Sequence, residues 1–138
     1  MKICLIDTGP IVAYLNGHDA AHKPVANALR RFRGELATTS AVVTEVMYFV
    51  SAAPNGPVAF AQFLFGTRVR IVESTQPSQV LAAAEMMNRY GDTPMDFADA
   101  TLVMLSEQTG VTDIFTLDRR GFSTYRTSKG AALRLMPL

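Results

Sequence analysis

The sequence predicts a single α/β domain in which helices cover a parallel β-sheet. Short apolar segments typical of strands alternate along the chain with longer segments that have helical periodicity. The chain has 138 residues, of which 49% are hydrophobic and 18% are charged, so it can fill one core but has little room for a second. No repeat, linker or low-complexity tract interrupts the alternation, and we therefore assign residues 1–138 to one domain.

Four to five short strands are predicted. The first ends directly before Asp7, and the third has the alternating pattern RVRIVE. The last segment has the weakest strand pattern, so the number is left at four to five. The predicted strands are Lys2 to Ile6, Glu35 to Thr38, Arg68 to Glu73, Asp113 to Leu117 and Ala132 to Met136.

Six helices are predicted, two in each connection between the first four strands. Ser40 is a good N-cap for the third helix. Thr93 as N-cap, Pro94 at the first helical position and Asp96 at the third fit a capping box for the sixth helix. The predicted helices are Thr8 to Leu15, His22 to Arg33, Ala41 to Ala52, Val58 to Phe65, Pro77 to Tyr90 and Met95 to Thr109.

Composition argues against a membrane or secreted protein. The mean hydropathy is +0.15, and acids interrupt the apolar stretches before they reach the roughly 20 residues of a membrane span. The start MKICLID lacks the features of a signal peptide. Cys4 is the only cysteine, so no intrachain disulfide is possible. We expect a cytoplasmic protein without membrane association, in which Cys4 is a small buried hydrophobe.

Charge is segregated along the chain, although the formal net charge is only +1. The segment from Arg119 to Leu138 contains five basic residues and no acid, whereas several acids upstream lie inside apolar runs. A local group of acids on a basic body suits a metal-dependent enzyme that acts on a polyanion. The alternative is that surface Arg and Lys only keep the domain soluble.

Four acids have one common geometric explanation. Asp7 ends the first strand and Asp118 the fourth, while Glu45 and Asp99 lie in the second turns of predicted helices. In a parallel α/β sheet, the carboxyl ends of the strands and the amino ends of the helices that follow them meet at one rim. We therefore expect these four acids to face one rim, with Asp96 on the same helical face as Asp99.

Each acid also has an explanation that involves no chemistry. Asp7 could cap the helix that follows it, and Asp96 fits the capping box. Glu45 and Asp99 lie past the first turn in this prediction, so a buried ion pair with an arginine is their alternative. Asp118 could be an ordinary acid between a strand and a turn.

Several carboxylates at one rim would repel one another. Two carboxylates about 5 Å apart repel by roughly 3 kcal/mol at an effective dielectric constant near 20. A divalent cation removes this repulsion, and ligation by oxygen alone favours Mg²⁺ or Mn²⁺ over zinc. His18 and His22 are an alternative zinc pair, but they would need further ligands that the sequence does not identify.

Four segments carry a resemblance to a known family. LIDTGP, SAVVTEV, MDFADATLV and FTLDRRGF contain these acids in order and span nearly the whole chain. Together they resemble the acidic blocks of PIN-domain ribonucleases, especially the VapC-type toxins of toxin-antitoxin pairs. The resemblance implies a PIN-like three-layer α/β/α fold with a central parallel sheet of four to five short strands.

The resemblance also implies a site and a reaction. It makes Asp7, Glu45, Asp99 and Asp118 the catalytic quartet around Mg²⁺ or Mn²⁺, with Asp96 as a support or additional ligand. Thr8 and Thr116 fall where family members often place hydroxyls near the metal or the substrate phosphate; helix capping and strand propensity are their alternatives. The implied reaction is hydrolysis of RNA phosphodiester bonds, and the implied partners are a second copy of the chain and a VapB-like antitoxin.

The basic C-terminal segment is the predicted RNA-binding region. Its side chains follow Asp118 directly and would bind the phosphate backbone, unless they are only a solvated surface. The candidates are Arg119, Arg120, Arg126 and Lys129. Phe122 and Tyr125 could stack on bases, but in a domain of this size they are more often core or interface residues.

Three other functions compete with the toxin. A phosphatase or phosphotransfer domain would use Asp7 as a nucleophile, but haloacid-dehalogenase-like chemistry normally offers a second Asp where Gly9 stands. A housekeeping RNA-processing nuclease would share the same acids. A PIN-like RNA-binding module would bind RNA without cleaving it.

Overall fold

The structure of the chain is a computed structural model that describes residues 2–138, so Met1 of the assigned domain lies outside the described residues. All five strands belong to one sheet. The strands are β1 (Ile3–Ile6), β2 (Glu35–Thr39), β3 (Arg70–Val72), β4 (Asp113–Phe115) and β5 (Arg134–Leu135). Their order is β3-β2-β1-β4-β5, and all neighbouring pairs are parallel.

Helices occupy the connections. They are α1 (Thr8–Leu15), α2 (His22–Arg31), α3 (Ser40–Val50), α4 (Gly56–Thr67), α5 (Pro77–Arg89), α6 (Phe97–Thr109) and α7 (Arg119–Thr124). Helix α1 packs against α2 and α4, α5 packs against α6, and α3 contacts both α1 and α6. This arrangement confirms the predicted three-layer α/β/α fold with a central parallel sheet.

Burial of both sheet faces explains the apolar sequence of the central strand. In β1, Cys4, Leu5 and Ile6 are completely buried, as is Ile114 in β4. Parallel strands covered by helices on both faces read as continuous apolar runs. Burial also raises the pKa of the Cys4 thiol to about 12, so Cys4 is an unreactive core residue, as predicted.

Buried hydroxyls join the sheet to the helices around it. Thr38 donates a hydrogen bond of 2.7 Å to the backbone oxygen of Ile6, and the hydroxyl of Thr39 lies 2.8 Å from that of Thr101 in α6. The Thr39 hydroxyl also accepts from the N–H of Val42 at 3.3 Å and so caps α3. The start of α6 is thereby held beside the end of β2.

Three helix starts differ from the prediction, and one helix was missed. Helix α4 begins at Gly56, two residues before the predicted Val58. Thr39, and not Ser40, caps α3, and Ser40 instead bonds to Ser74. Helix α6 begins at Phe97 with Asp96 as its N-cap, so the predicted start at Met95 was wrong. Helix α7 was not predicted, because its segment RRGFST has no helical apolar periodicity.

A membrane span was not expected. Within residues 2–138, the helices are all too short or too polar to cross a bilayer.

Candidate active site

Asp7 follows the central strand directly and is held by both of its carboxylate oxygens. Its Oδ1 accepts a hydrogen bond of 2.8 Å from the N–H of Thr8, and its Oδ2 accepts one of 2.8 Å from the hydroxyl of Thr116. The residue is 6% exposed. The first bond is the cap that the sequence suggested. The second fixes Asp7 to the segment that follows β4, which capping alone does not require.

Asp96 and Asp99 form the capping box at the start of α6. The N–H of Asp99 donates to Asp96 Oδ1 at 2.8 Å, and the N–H of Asp96 donates to Asp99 Oδ2 at 3.1 Å. The predicted box with Thr93 as N-cap was therefore wrong by one turn, and Asp99 lies in the first turn rather than the second. Asp99 is 9% exposed, whereas Asp96 is exposed.

Glu45 reaches the same rim from the second turn of α3. Its carboxyl group is half-buried, and the nearby hydroxyl of Thr8 lowers its pKa against the larger effect of burial. That hydroxyl is itself buried and has no well-formed hydrogen bond within residues 2–138. An unpaired buried hydroxyl is costly unless something else bonds to it. The Thr8 hydroxyl therefore lies close to the Glu45 carboxylate without forming a full hydrogen bond to it within the described residues.

Asp118 is joined to this group through Thr116. The Thr116 hydroxyl, which donates to Asp7, accepts from the N–H of Asp118 at 3.0 Å. The Asp118 side chain caps α7 by accepting from the N–H of Gly121 at 3.0 Å. Asp118 is exposed. From the sequence it could be an ordinary acid between a strand and a turn, but in the structure it is the N-cap of α7.

Electrostatics shows that Asp7, Glu45, Asp96 and Asp99 influence one another. Burial raises the pKa of Asp7 to about 6, and the charges of Asp96 and Glu45 contribute in the same direction. Burial raises the pKa of Asp99 to about 8, with further contributions from the charges of Asp7 and Asp96. Burial and the charge of Asp96 also raise the pKa of Glu45. We refer to these four residues together with Asp118 as the acid cluster.

Within residues 2–138, no basic side chain forms a salt bridge with the acid cluster. The salt bridges within the described part of the chain join Asp113 to Lys2 and Arg134, and Glu35 to Arg70. The buried ion pair with an arginine, which was the alternative for Glu45 and Asp99, is therefore wrong. The carboxylates therefore still repel one another, and a bound cation would reduce this repulsion.

The donor set fits a hard divalent cation, although it is not a preformed cage. Between residues 2 and 138, no three Asp, Glu, His or Cys side chains are arranged as a ready metal site. The groups that face one another are carboxylates, with the Thr8 hydroxyl beside Glu45, and such oxygen ligands select Mg²⁺ or Mn²⁺. An ion would have to draw the carboxylates inwards, and their raised pKa values show that they lack a counter-charge. At the alternative zinc pair, a ring nitrogen of His22 is occupied by the Ala13 carbonyl oxygen at 2.9 Å.

The predicted RNA-binding side chains are all exposed, but they lie in different places. Arg119 and Arg120 begin α7 directly after Asp118, and Arg119 donates to the backbone oxygen of Met136 at 3.3 Å. Arg126 donates to the carbonyl oxygens at the end of α7. Lys129 lies near Glu107, about 12 Å along α6 from Asp99 at the 1.5 Å rise per helical residue. Only Arg119 and Arg120 adjoin the acid cluster.

Phe122 and Tyr125 are completely buried, so they are core residues and the stacking alternative was wrong. Tyr125 has a role that the sequence did not indicate. Its hydroxyl donates to the carbonyl oxygen of Pro94, just before the capping box, and burial and the charges of Asp99 and Asp118 raise its pKa. Tyr125 thus connects α7 to the start of α6.

Gly121 is the second residue that sequence analysis missed. A Cβ atom at this position would lie 2.3 Å from Asp118 Oδ2 and 2.9 Å from the hydroxyl oxygen of Tyr125. We expect Gly121→Ala to displace the Asp118 carboxylate and break its N-cap bond, at a cost of about 1 kcal/mol in the free energy of unfolding. Chemical denaturation measures this loss. Gly66→Ala is the control, since nothing lies within 4 Å of a Cβ there; equal stability of wild type and Gly121→Ala would contradict the prediction.

Comparison with known proteins supports the resemblance. Residues 4–127 match the model of the PIN domain family. The chain is 27% identical over 135 residues to Ribonuclease VapC26 of Mycobacterium tuberculosis (strain ATCC 25618 / H37Rv), covering 96% of this chain and 99% of the relative.

Solved structures share the fold. The crystal structure of M. tuberculosis VapC20, described as a sarcin-ricin loop cleaving toxin, matches with a TM-score of 0.76 at 22% identity over 86% of this chain and 91% of that one. A chain of VapBC2 from Rickettsia felis, bound to a DNA fragment from its promoter, matches with a TM-score of 0.65 at 17% identity over 97% of both chains. A chain of FitAB bound to a DNA fragment matches with a TM-score of 0.66 at 19% identity, covering 97% of this chain and 93% of that one. From its sequence match and its fold, this chain belongs to the PIN domain family.

Proposed function

We propose that the protein is an endoribonuclease dependent on Mg²⁺ or Mn²⁺ that hydrolyses RNA phosphodiester bonds and acts as the toxin of a toxin-antitoxin pair. The observation that carries this proposal is a group of acids that face one another without a basic partner at the carboxyl ends of β1 and β4. The relative VapC26, which is named a ribonuclease and covers nearly the same length, supports the substrate class.

The acid cluster would hold the cation. Asp7, Glu45, Asp96, Asp99 and Asp118 are the proposed ligands, with Asp7 and Asp99 the most buried among them. A divalent ion bound there would activate a water for attack on phosphorus and stabilise the negative charge on the phosphate oxygens and on the leaving oxygen of the broken P–O bond.

The other residues orient the acids and the substrate. Thr116 fixes Asp7 through its Oδ2 and holds the backbone of Asp118, so one hydroxyl sets the spacing of two proposed ligands. The buried Thr8 hydroxyl lies close to the Glu45 carboxylate, where it would orient this proposed ligand or turn to donate to a phosphate oxygen. Arg119 and Arg120 are the first residues of α7, directly after Asp118, where they would bind the neighbouring phosphates of the RNA backbone.

Incubation of the purified protein with structured RNAs in Mg²⁺, Mn²⁺ or EDTA tests the proposal. We expect cleavage with either metal and none in EDTA. Asp99→Asn should remove the cleavage, because it takes away a buried ligand while keeping the capping-box geometry. Cleavage of equal rate in EDTA, or by Asp99→Asn, would show that the activity comes from another site or a contaminant.

Arg120 and Lys129 form a matched pair for testing RNA binding. Arg120→Ala should weaken RNA binding by roughly three- to tenfold and lower the salt dependence by about one phosphate contact. Lys129→Ala removes one positive charge near Glu107, at the C-terminal end of α6, and should leave both quantities close to wild type. Fluorescence anisotropy at several salt concentrations measures both. Equal effects of the two changes would mean that only net charge matters.

A second copy of the chain is the proposed partner within the assembly. Val58 and Phe65 on α4 are 53% and 87% exposed, an apolar surface that a second copy would cover. We expect Phe65→Asp to convert a dimer into a monomer, as measured by light scattering after size exclusion. A wild-type monomer, or a dimer that survives the change, would argue against this surface as the interface.

We also propose a VapB-like antitoxin as the inhibitory partner and the cytoplasm as the place of action. Structures from VapBC2 and FitAB share the fold, which supports a partner of this type. Co-expression with a small protein encoded beside this chain should relieve growth arrest. Harmless overexpression of the chain alone would favour the housekeeping nuclease instead.

A further inference from the structure

We propose that a cavity beside the acid cluster binds an unpaired RNA base next to the bond that is cut. This inference rests on the proposed function and extends it to the way the substrate is held. The cavity has a volume of about 550 Å³ and lies between the start of α3 and the start of α6. Its walls include Thr44, Glu45, Tyr48, Thr75, Asp96 and Phe97. We call it the aromatic cavity.

The aromatic cavity is continuous with the proposed catalytic site. Glu45 and Asp96 line it and also belong to the acid cluster, where the charge of Asp96 acts on Glu45 and Asp7. A group in the cavity therefore lies directly beside the proposed cation. In an RNA strand, the group next to a phosphate is a nucleoside, so a base is the part of the substrate that would reach this position.

Two aromatic side chains provide surfaces for stacking. Tyr48 is 77% exposed, although it is a large aromatic residue, and it follows Glu45 on α3 at a spacing of three residues. Phe97 is half-buried and comes directly after Asp96. Stacking on aromatic side chains is the usual way in which proteins hold unpaired bases, because every base has a flat π-face.

The charges of the cavity favour a base over a phosphate. No Lys, Arg or His is among the residues that line it, whereas two carboxylates are. These carboxylates would repel a phosphate but not an uncharged ring. The volume falls within the 300 to 1,000 Å³ range typical of small-ligand pockets, so the cavity has room for one nucleoside. The phosphates would instead lie towards the cation and Arg120.

RNA binding by Tyr48 variants tests the proposal. The probe is a fluorescein-labelled decamer of adenylate, bound in Mg²⁺ by the Asp7→Asn protein so that it is not cut. Loss of one stacked base weakens binding by about tenfold, and we expect this for Tyr48→Ala with an unchanged salt dependence. Tyr48→Phe keeps the ring and should remain close to the parent. Phe49→Ala is the matched control, because Phe49 is the next residue on α3, is 55% exposed and does not line the cavity.

Several results would overturn the proposal. The first is that Tyr48→Ala binds the decamer as tightly as the parent protein, and the second is that Phe49→Ala loses as much affinity as Tyr48→Ala. The third is that the parent protein does not bind the decamer at all. The fourth is that Tyr48→Ala changes the protein from a dimer to a monomer. The last result would assign Tyr48 to a contact between two copies.

Cleavage kinetics separate this inference from the proposed function. Tyr48→Ala in the otherwise wild-type protein should raise KM about tenfold and leave kcat nearly unchanged if stacking contributes equally before and during the reaction. If the wild type cuts no RNA but Tyr48→Ala still weakens binding, the nuclease proposal fails and the aromatic cavity stands. If the wild type cuts RNA with the same KM as Tyr48→Ala, the cavity fails and the nuclease stands.

Discussion

Asp7→Asn is expected to abolish RNA cleavage, with kcat lowered about 1,000-fold or more, because one buried charge at the proposed cation site is lost. The same change should make the protein without metal more stable at neutral and alkaline pH. The Asp7 carboxyl is buried beside Asp96 and Glu45, and its pKa is raised to about 6. An uncharged amide of the same shape removes the cost of ionising that group.

The size of the gain follows from the pKa. A carboxyl that titrates near 3.8 in the unfolded chain and near 6 in the folded protein costs up to roughly 3 kcal/mol when ionised in the folded state. Asn can still accept from the N–H of Thr8, and the Thr116 hydroxyl can rotate to accept from the amide. Cleavage assays and urea denaturation in EDTA measure the two effects on the same preparation.

Asp113→Asn is the matched control, since it also removes one carboxylate at the end of a central strand, but at the amino end of β4 and so at the opposite edge of the sheet. Asp113 is bound by Arg134 at 2.7 Å and by Lys2 at 3.4 Å, and the hydrogen bond from Arg134 holds its pKa below the usual range. Its replacement should lower stability at neutral pH by up to about 1 kcal/mol, as for other exposed ion pairs, and leave cleavage intact. If Asp7→Asn also destabilised the protein, or cut RNA normally, the proposed role of Asp7 would be wrong.

The position of Asp7 was predictable because it follows from a general rule of parallel sheets. An apolar strand that ends in an acid places the acid at the carboxyl edge of a parallel sheet, where β4 also ends. The sequence could not show that Thr116 would bind the same carboxylate, because that bond joins residues 109 positions apart. The bond from Thr116 holds Oδ2 of Asp7, the carboxylate oxygen that the N-cap bond from Thr8 does not hold.

The start of α6 was mispredicted for a related reason. Thr93, Pro94 and Asp96 satisfy the local pattern of a capping box, and so do Asp96 and Asp99 one turn later. The structure uses the later pair, while the carbonyl of Pro94 accepts a hydrogen bond from Tyr125. A local pattern cannot decide between two equivalent starts when the deciding contact comes from a residue 31 positions away.

Helix α7 was not predicted, although the sequence analysis identified Asp118, the residue that caps it. Asp118 was recognised as an acid at a strand end, but the segment after it is short, basic and interrupted by Gly121. The helix is held by its N-cap and by burial of Phe122 and Tyr125 rather than by helical propensity. These tertiary contacts also separate Arg120 from Lys129, which a charge count along the chain treats as equivalent.

Without metal, the protein is expected to lose stability as the pH rises from about 4 to about 8. Asp7 and Asp99 have pKa values near 6 and 8 in the folded protein, both above the 3.8 of an ordinary Asp. The folded state therefore binds more protons than the unfolded state over this range, so the stability present below about pH 4 is lost progressively as the pH rises through the two folded pKa values. The lowered pKa of Asp113 makes stability rise with pH instead, but this contribution changes only below about pH 4.

Mg²⁺ should remove most of this pH dependence, because a bound cation provides the counter-charge that the acid cluster lacks. The measurement is the free energy of unfolding across this pH range in EDTA and in Mg²⁺, with ionic strength matched by sodium salt. Asp7→Asn should lower the slope between about pH 4 and pH 6, where both acids contribute. Asp99→Asn should lower the slope over the whole range and remove it between about pH 6 and pH 8. Since the charge of Asp7 contributes to the raised pKa of Asp99, Asp7→Asn should also shift the remaining transition to lower pH. Two results would mean that the acids do not meet at a common cation site. One is a free energy of unfolding in EDTA that does not change with pH, and the other is an equal effect of Mg²⁺ and sodium on it.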